Sequence, residues 1–230
     1  LKFIYACLLI RVISMKIINY VVGPLSTNSY IVYDEETRES LIIDPGSDEL
    51  VSRVEELMKS GLKFCGIIAT HGHIDHIAGV KALREITGAK FMLHKSDIEV
   101  MDISLDWGLE LGYNLNLDDI KPDQLYEAEE IIGLGSYGIE IIHTPGHTPG
   151  SVVLYIPSLK IAFTGDTLFR ESVGRTDLMG GSWSALKESI KKLINRLSDD
   201  TVIYPGHGPS STIAYELRNN IFVKRIMKGS

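Results

Sequence analysis

Three histidines and one aspartate stand within six consecutive positions of the chain, at His71, His73, Asp75 and His76. They directly follow an apolar stretch, residues 64–69, whose pattern predicts a buried strand that ends where the histidines begin. Neutral imidazole nitrogens bind zinc, iron and manganese, whereas calcium and magnesium prefer oxygen ligands. The spacing therefore predicts a site for one or two divalent metal ions.

Three later positions repeat this arrangement of a polar residue after a predicted strand. His147 lies in a turn rich in proline and glycine, which can hold the backbone close to a metal. Asp166 follows a strand at 160–163, and its two carboxylate oxygens can bridge two ions. His207 follows a strand at 201–204 and is flanked by glycines. His143 shares the turn of His147, and we expect it to have a structural role because the set is complete without it.

The remaining elements predict a layered fold that positions these residues. Strands alternate with helices in the first half, and a segment at 95–124 without a strand pattern predicts a helical or irregular cap over the site. Its apolar residues are expected to pack within the cap rather than to contact a ligand. Both halves read as strands followed by helices, which predicts two sheets packed face to face with helices outside. The predicted strands are 16–22, 29–33, 41–43, 64–69, 90–93, 129–132, 138–142, 151–156, 160–163 and 201–204; the predicted helices are 47–59, 77–86, 182–197 and 211–220.

Taken together and in this order, the motifs resemble those of the metallo-β-lactamase superfamily over residues 15–222. They are His-x-His-x-Asp-His at 71–76, Gly-His at 146–147, Gly-Asp at 165–166 and Gly-His at 206–207. The resemblance implies an α/β fold, a four-layer αββα sandwich, and catalytic roles for Asp75 and Asp166. It also implies two metal positions, one held by His71, His73 and His147 and the other by Asp75, His76 and His207, with Asp166 shared.

Within that superfamily, residues 165–169, 174–178 and 207–209 are similar to hydroxyacylglutathione hydrolase (glyoxalase II) and its short relatives. The resemblance implies hydrolysis of a thioester, and two divalent ions lower the pKa of water towards about 7. A thiolate, from a thiol of pKa near about 8.5, leaves without a general acid. Zinc is the expected metal, with iron and manganese as alternatives. Glyoxalase II has a C-terminal helical domain that contacts glutathione, and few residues follow His207, so weak recognition of glutathione is expected.

Other functions remain open from the sequence. A mononuclear iron persulfide dioxygenase resembles the chain in its His and Asp ligands and in the Gly-Arg-Thr-Asp stretch at 174–177. A metal-binding redox or regulatory protein without hydrolytic activity is a second alternative, although flavodiiron-type relatives replace a site histidine by glutamate. Metal content and oxygen consumption separate these possibilities from hydrolysis.

Composition narrows the partners. The 230 residues carry a formal net charge of −7, which argues against nucleic acid and favours a small-molecule partner. The resemblance implies that this small molecule is a thioester. Two cysteines, Cys7 and Cys65, are too few for a disulfide framework, and a reducing cytoplasm is the expected location. Cys65 is expected to be a small buried residue of its strand.

The N-terminal residues 1–14 form an apolar extension interrupted by Lys2 and Arg11, shorter than the roughly 20 residues that a membrane helix requires. Met15 is the expected start of the domain, and residues 1–14 are a possible start-site artefact. Residues 15–230 are expected to form a single domain. Deletion of the extension should leave the metal site intact.

Overall fold

The first sheet contains six strands that neighbour one another in chain order. The computed structural model describes residues 14–127 and 129–229, so the predictions for residues 1–13 lie outside the described residues. The strands are β1 (Met15–Val22), β2 (Thr27–Asp34), β3 (Glu39–Ile43), β4 (Lys63–Ile68), β5 (Lys90–His94) and β6 (Gln124–Tyr126). The first three are antiparallel, and the strands from β3 to β6 pair in parallel.

Parallel pairs need crossover connections, and helices supply them here. A 3-10 turn and α1 (Val51–Lys59) join β3 to β4, while α2 (Ile74–Ile77) and α3 (Val80–Thr87) join β4 to β5. The segment between β5 and β6 contains α4 (Ile98–Glu110) and α5 (Leu117–Ile120), so the predicted cap is helical. Among the described residues, no helix has the length and apolarity needed to cross a bilayer.

The second sheet is also six-stranded, in the order β14, β13, β10, β9, β8, β7. Its strands are β7 (Ile131–Leu134), β8 (Tyr137–His143), β9 (Val152–Ile156), β10 (Ile161–Gly165), β13 (Val202–Pro205) and β14 (Ser211–Thr212). A separate short hairpin contains β11 (Leu168–Phe169) and β12 (Ser172–Val173), and the helices are α6 (Trp183–Arg196), α7 (Ile213–Asn219) and α8 (Ile221–Met227). Ser182 caps α6 by accepting a hydrogen bond from the Ala185 amide.

Alternating side chains stack the sheets into four layers. On β2, Tyr30 and Val32 point into a core between the two sheets, where they join Phe163 from β10, while Ile31 points to the helices. Behind the second sheet, Ile190 of α6 belongs to a third core. The period-two pattern thus gives β2 two buried faces, one against the other sheet and one against the helices. The predicted αββα sandwich is confirmed.

Several features differ from the predictions. β14 lies at the start of the predicted helix 211–220, and α8 was not predicted. The three-residue β6 and the two-residue strands of the β11–β12 hairpin are too short to show a periodic pattern in sequence. The expectation that Cys65 is buried is wrong, because β4 begins with alternating exposed and half-buried positions and only its last three residues are buried.

Candidate metal centre

The first four predicted ligands lie where β4 passes into α2. His71 and His73 occupy the loop after the strand, and Asp75 and His76 stand on the single turn of α2. All four are buried, with at most 7% of any residue exposed. The loop and the helical turn present the pairs from different directions.

The other three predicted residues come from the second sheet. His147 lies in the loop between β8 and β9, Asp166 follows β10, and His207 follows β13. Because β10 and β13 are parallel neighbours, their carboxyl ends meet at one edge, which brings Asp166 close to His207. The structure thus gathers all seven residues, in three overlapping groups whose ligand atoms lie within 4.8 Å of one another: His71, His73 and His147; His71, His76 and Asp166; and Asp75, His76 and His207.

We call His71, His73 and His147 the triple-histidine group. The Nδ1 atom of His73 lies 3.1 Å from Nε2 of His71 and 3.0 Å from Nε2 of His147. Burial, reinforced by the neighbouring imidazoles, lowers the pKa of His71 well below its usual value and that of His73 to about 3. His71 and His73 are therefore neutral at pH 7, and their nitrogen lone pairs are available to a metal.

We call Asp75, His76 and His207 the mixed group. Nε2 of His207 lies 3.3 Å from Oδ2 of Asp75 and 3.4 Å from Nε2 of His76. Burial disfavours a charge on His76, but Asp75, Asp44 and Asp166 outweigh it and raise the pKa of His76 to about 10. Burial likewise opposes ionisation of Asp75, yet His76 and His207 lower its pKa below the usual value. At pH 7 this group therefore pairs the Asp75 carboxylate with a protonated His76, which must lose its proton before it can bind a metal.

Asp166 lies between the two groups. Its Oδ2 atom is 3.5 Å from Nε2 of His147 and 3.6 Å from Nε2 of His207, and its Oδ1 atom is 3.5 Å from Nε2 of His76. Oδ1 is buried and accepts no hydrogen bond from the described residues. A carboxylate oxygen in this state requires a partner, since burying a charged group without one is costly.

The residues present fit divalent metal ions. Two atoms that each lie about 2.0–2.1 Å from a tetrahedral ion are about 3.3–3.4 Å apart, and the distances within and between the groups are 3.0–3.6 Å. The donors are imidazole nitrogens and carboxylate oxygens, the set that zinc, iron and manganese accept. The division of the seven residues between two ions remains a prediction.

Sequence reasoning missed a buried carboxylate that supports the site. Asp44 accepts hydrogen bonds from the amide and hydroxyl of Thr70, at 2.6 and 2.9 Å, and its Oδ2 atom lies 3.1 Å from Nδ1 of His76. It therefore orients the imidazole from behind, as residues around metal ligands commonly do. Asp44 follows the end of β3, so the strand-end rule that identified Asp166 points to it as well.

Two histidines stay outside the groups. The rings of His94 and His143 stack on each other with 4.3 Å between centroids, and Nε2 of His143 lies 2.8 Å from the carbonyl of Pro149. His143 therefore has the structural role expected of it.

A cavity of about 590 Å³ opens onto the site. Cluster residues form its floor, and its walls are mainly apolar; Glu110 and Arg175 add one charge of each sign. Trp107 and Leu111 from the cap line these walls, and Leu111 also packs against the core. Leu105 packs against the core as well. The apolar wall residues are Leu25, Ile74, Trp107, Leu111, Phe169, Val173 and Leu178.

Comparisons with known proteins agree with this architecture. The family model described as "Metallo-beta-lactamase superfamily" matches residues 22–207. The chain is 35% identical to hydroxyacylglutathione hydrolase GloC of Haemophilus influenzae over 85% of this chain and 92% of that protein. Among solved structures, it is similar to BLEG-1 B3 metallo-beta-lactamase (TM-score 0.80, 35% identity, 91% of this chain and 99% of that chain). It is also similar to TTHA1623 in a di-iron-bound form (TM-score 0.76, 33% identity, 89% and 99%).

Proposed function

The chain belongs to the metallo-β-lactamase superfamily, and we propose that within it the protein is a metal-dependent hydrolase that cleaves thioesters of small hydroxy acids. The cavity itself carries the proposal. Apart from the clustered histidines and aspartates, Glu110 and Arg175 are the ionisable side chains among the described residues that line it. Because this wall is mainly apolar and offers few groups that could donate a proton, it suits a leaving group that departs without being protonated. A thiolate, whose thiol has a pKa near about 8.5, is such a group, whereas an amine is not.

The seven clustered residues would hold the metal. His71, His73 and His147 supply three imidazole nitrogens, Asp75, His76 and His207 supply a mixed set, and Asp166 lies between them. When bound, divalent ions at such a site lower the pKa of water and polarise a carbonyl group. The protein's own contribution is to fix the ligand atoms and to surround the reacting carbonyl with apolar walls that exclude bulk water.

The residues that line the cavity suggest how strongly the thiol half of the substrate is recognised. Phe169 and Val173 come from the β11–β12 hairpin, and Leu25 comes from the β1–β2 turn. The guanidinium of Arg175 already binds both carboxylate oxygens of Asp177, at 2.8 and 2.7 Å. The two carboxylates of glutathione would have to compete with Asp177 for Arg175, so we propose that the thiol half is recognised weakly.

The similarity to a hydroxyacylglutathione hydrolase supports the thioester assignment, as do residues 165–169 and 174–178. We propose zinc as the metal and two ions as its number. The proposed partner is a small molecule rather than nucleic acid or a membrane, which the net charge of −7 supports. A cytoplasmic location remains a prediction.

One preparation of the full chain tests the proposal. Its metal content is measured, and it is then assayed with S-lactoylglutathione, with the lactoyl thioester of N-acetylcysteamine, and with a chromogenic β-lactam. We expect both thioesters to be hydrolysed, with similar kcat/KM, and the β-lactam to be cleaved poorly. Hydrolysis of the β-lactam alone would replace the proposal by a β-lactamase activity, the one for which BLEG-1 is named.

The second candidate is an iron-dependent persulfide dioxygenase. The similarity to a di-iron-bound structure supports iron as an alternative metal. Glutathione persulfide is added to the iron-loaded protein in an oxygen electrode, and sulfite is measured. Oxygen consumption with sulfite formation, and no thioester cleavage, would establish this alternative instead.

A further inference from the structure

Asp97 is a buried carboxylate that joins two of the loops carrying the predicted ligands. It is 0% exposed and stands immediately before α4. Its Oδ2 atom accepts hydrogen bonds from the amide of Gly72, at 2.8 Å, and from the hydroxyl of Thr148, at 2.7 Å. Its Oδ1 atom accepts one from the amide of Gly150, at 2.5 Å. Gly72 stands between His71 and His73, and Thr148 follows His147.

The carboxylate is committed to these loops and not to its own helix. An aspartate at the N-cap usually accepts a hydrogen bond from the first turn of the helix, but the Asp97 side chain makes no such bond. The loops also approach it more closely than any side chain would allow. A Cβ atom on Gly150 would lie 2.6 Å from Cγ of Asp97, and one on Gly72 would lie 2.8 Å from its carbonyl oxygen.

A different strand holds the mixed group. The side-chain amide of Asn28, at the start of β2, donates to the carbonyls of Pro205 and Gly208, at 2.9 and 2.8 Å. These residues flank His207 on both sides. The hydroxyl of neighbouring Thr27 donates to Oδ2 of Asp75, at 2.9 Å. None of these contacts involves Asp97 or the loops of the triple-histidine group.

We propose that Asp97 is a positioning residue for the triple-histidine group and that Asn28 positions His207 in the mixed group. We call these two residues the braces. Each brace sets the metal affinity of its own group separately from the other. This inference rests on the metal site of the proposed function. Hydrogen bonds to the loops fix where the imidazole nitrogens point, and a ligand held in place binds a metal more tightly than one that must first be ordered.

Asp97→Asn tests the first brace with little change in shape. The amide of asparagine has one acceptor oxygen and one donor nitrogen, so whichever way it is oriented, one loop amide faces a donor instead of an acceptor. Thr148→Val is a milder second variant, because it removes one donor and leaves both glycine amides bonded. Asn28→Ala removes the second brace.

Asp34→Asn is the matched control. Asp34 is 2% exposed and accepts backbone hydrogen bonds from Glu36 and Ser136, at 2.8 and 2.9 Å. It stands at the opposite end of β2 from Asn28. The control therefore disturbs a buried carboxylate of the same kind, away from both groups.

The measurement uses Zn²⁺ alone with the full chain. Competition with a chromophoric chelator gives the affinities, and anomalous diffraction at limiting Zn²⁺ gives the occupancy of each position. For Asp97→Asn we expect affinity to fall by about 10- to 100-fold at the triple-histidine group, with the mixed group unchanged. Thr148→Val should show a smaller loss at the same group. Asn28→Ala should show the reverse selectivity, and Asp34→Asn should change neither occupancy.

The outcomes separate this inference from the proposed function. Equal loss at both positions in Asp97→Asn, or a lower melting temperature of the metal-free protein with unchanged zinc occupancy, would show that Asp97 is merely structural. If Asp97→Asn does not fold, an unselective or absent effect of Thr148→Val overturns the inference. Wild-type protein that binds Zn²⁺ at neither group would overturn the metal site itself, whereas failure to hydrolyse thioesters with zinc bound would overturn only the substrate assignment.

Discussion

The two halves of the cluster use different chemistry to prepare for a metal. The triple-histidine group is buried, and its residues expose 6% or less. Burial lowers the pKa values of His71 and His73, so these two imidazoles are neutral at pH 7. The mixed group combines one carboxylate with two histidines. It is also more open, since the side chain of His207 is 29% exposed. The first group thus offers free lone pairs, whereas in the second group His76 must first lose a proton.

This difference implies an order of metal binding. Neutral ligands bind a metal without a prior deprotonation step, while a protonated histidine must release its proton. We therefore expect the triple-histidine group to fill first and the mixed group to fill at higher pH or higher metal concentration.

The largest expected effect is that of His73→Ala. The substitution removes the nitrogen that lies 3.0–3.1 Å from both other members of the triple-histidine group. We expect thioester hydrolysis to fall by more than about 100-fold, since altering a residue that only supports a ligand already costs about 10- to 100-fold. Metal content after desalting and kcat/KM are the readouts. His143→Ala is the control, and equal metal content in the two variants would contradict the ligand assignment.

A smaller effect is expected for His207→Ala. The mixed group loses its most exposed member but keeps Asp75 and His76, so one metal should remain at the triple-histidine group. We expect one equivalent of metal instead of two, and a loss of activity of about 10- to 100-fold. Full thioesterase activity in this variant would show that the mixed group is not needed for activity, and it would contradict the dinuclear assignment.

The pH dependence of zinc binding should also distinguish the mixed group from the triple-histidine group. The pKa of His76 in the metal-free protein is raised to about 10, so His76 carries a proton at pH 8. This raised pKa stabilises the metal-free fold fully below about 6.5 and loses that contribution as pH rises through about 10. Zinc binding to the mixed group at pH 8 should therefore release protons.

Calorimetry in buffers of different ionisation enthalpy counts those protons. In wild type, the binding enthalpy of the second zinc equivalent should depend on the buffer more strongly than that of the first. In His207→Ala, the buffer dependence of the first equivalent should be retained. Identical buffer dependence for both equivalents of wild type would show that the groups do not differ in protonation.

The smallest effect is expected for Asp177→Asn. His147 is held by the backbone carbonyl of Arg175, which lies 2.9 Å from its Nδ1 atom, and the Arg175–Asp177 side-chain pair is exposed. Metal content should therefore stay unchanged. The freed guanidinium should raise kcat/KM for the glutathione thioester by up to about fivefold relative to the N-acetylcysteamine thioester, as suits an exposed ion pair. A loss of metal would mean that the side-chain pair also supports His147.

The sequence alone identified the residues that the cluster gathers. His71, His73, Asp75 and His76 are close in the chain, so their proximity in space needed no knowledge of the fold. Asp166 and His207 were found because each follows an apolar strand, and the carboxyl ends of parallel strands meet at one edge. Two packed sheets with helices outside followed from the order of strands and helices in the two halves, and the resemblance implied the four-layer αββα sandwich.

Only the tertiary structure revealed what holds those residues in place. Asp97 contacts Gly72 and Gly150, and Asn28 contacts Pro205, across separations of 25, 53 and 177 residues. Such pairs leave no periodic signal, because each depends on how the two sheets and the cap pack against one another. The seven candidate ligands can thus be identified from local sequence. Their protonation states and the residues that position them depend on burial and on neighbours that are distant in the chain and come close only in the folded protein.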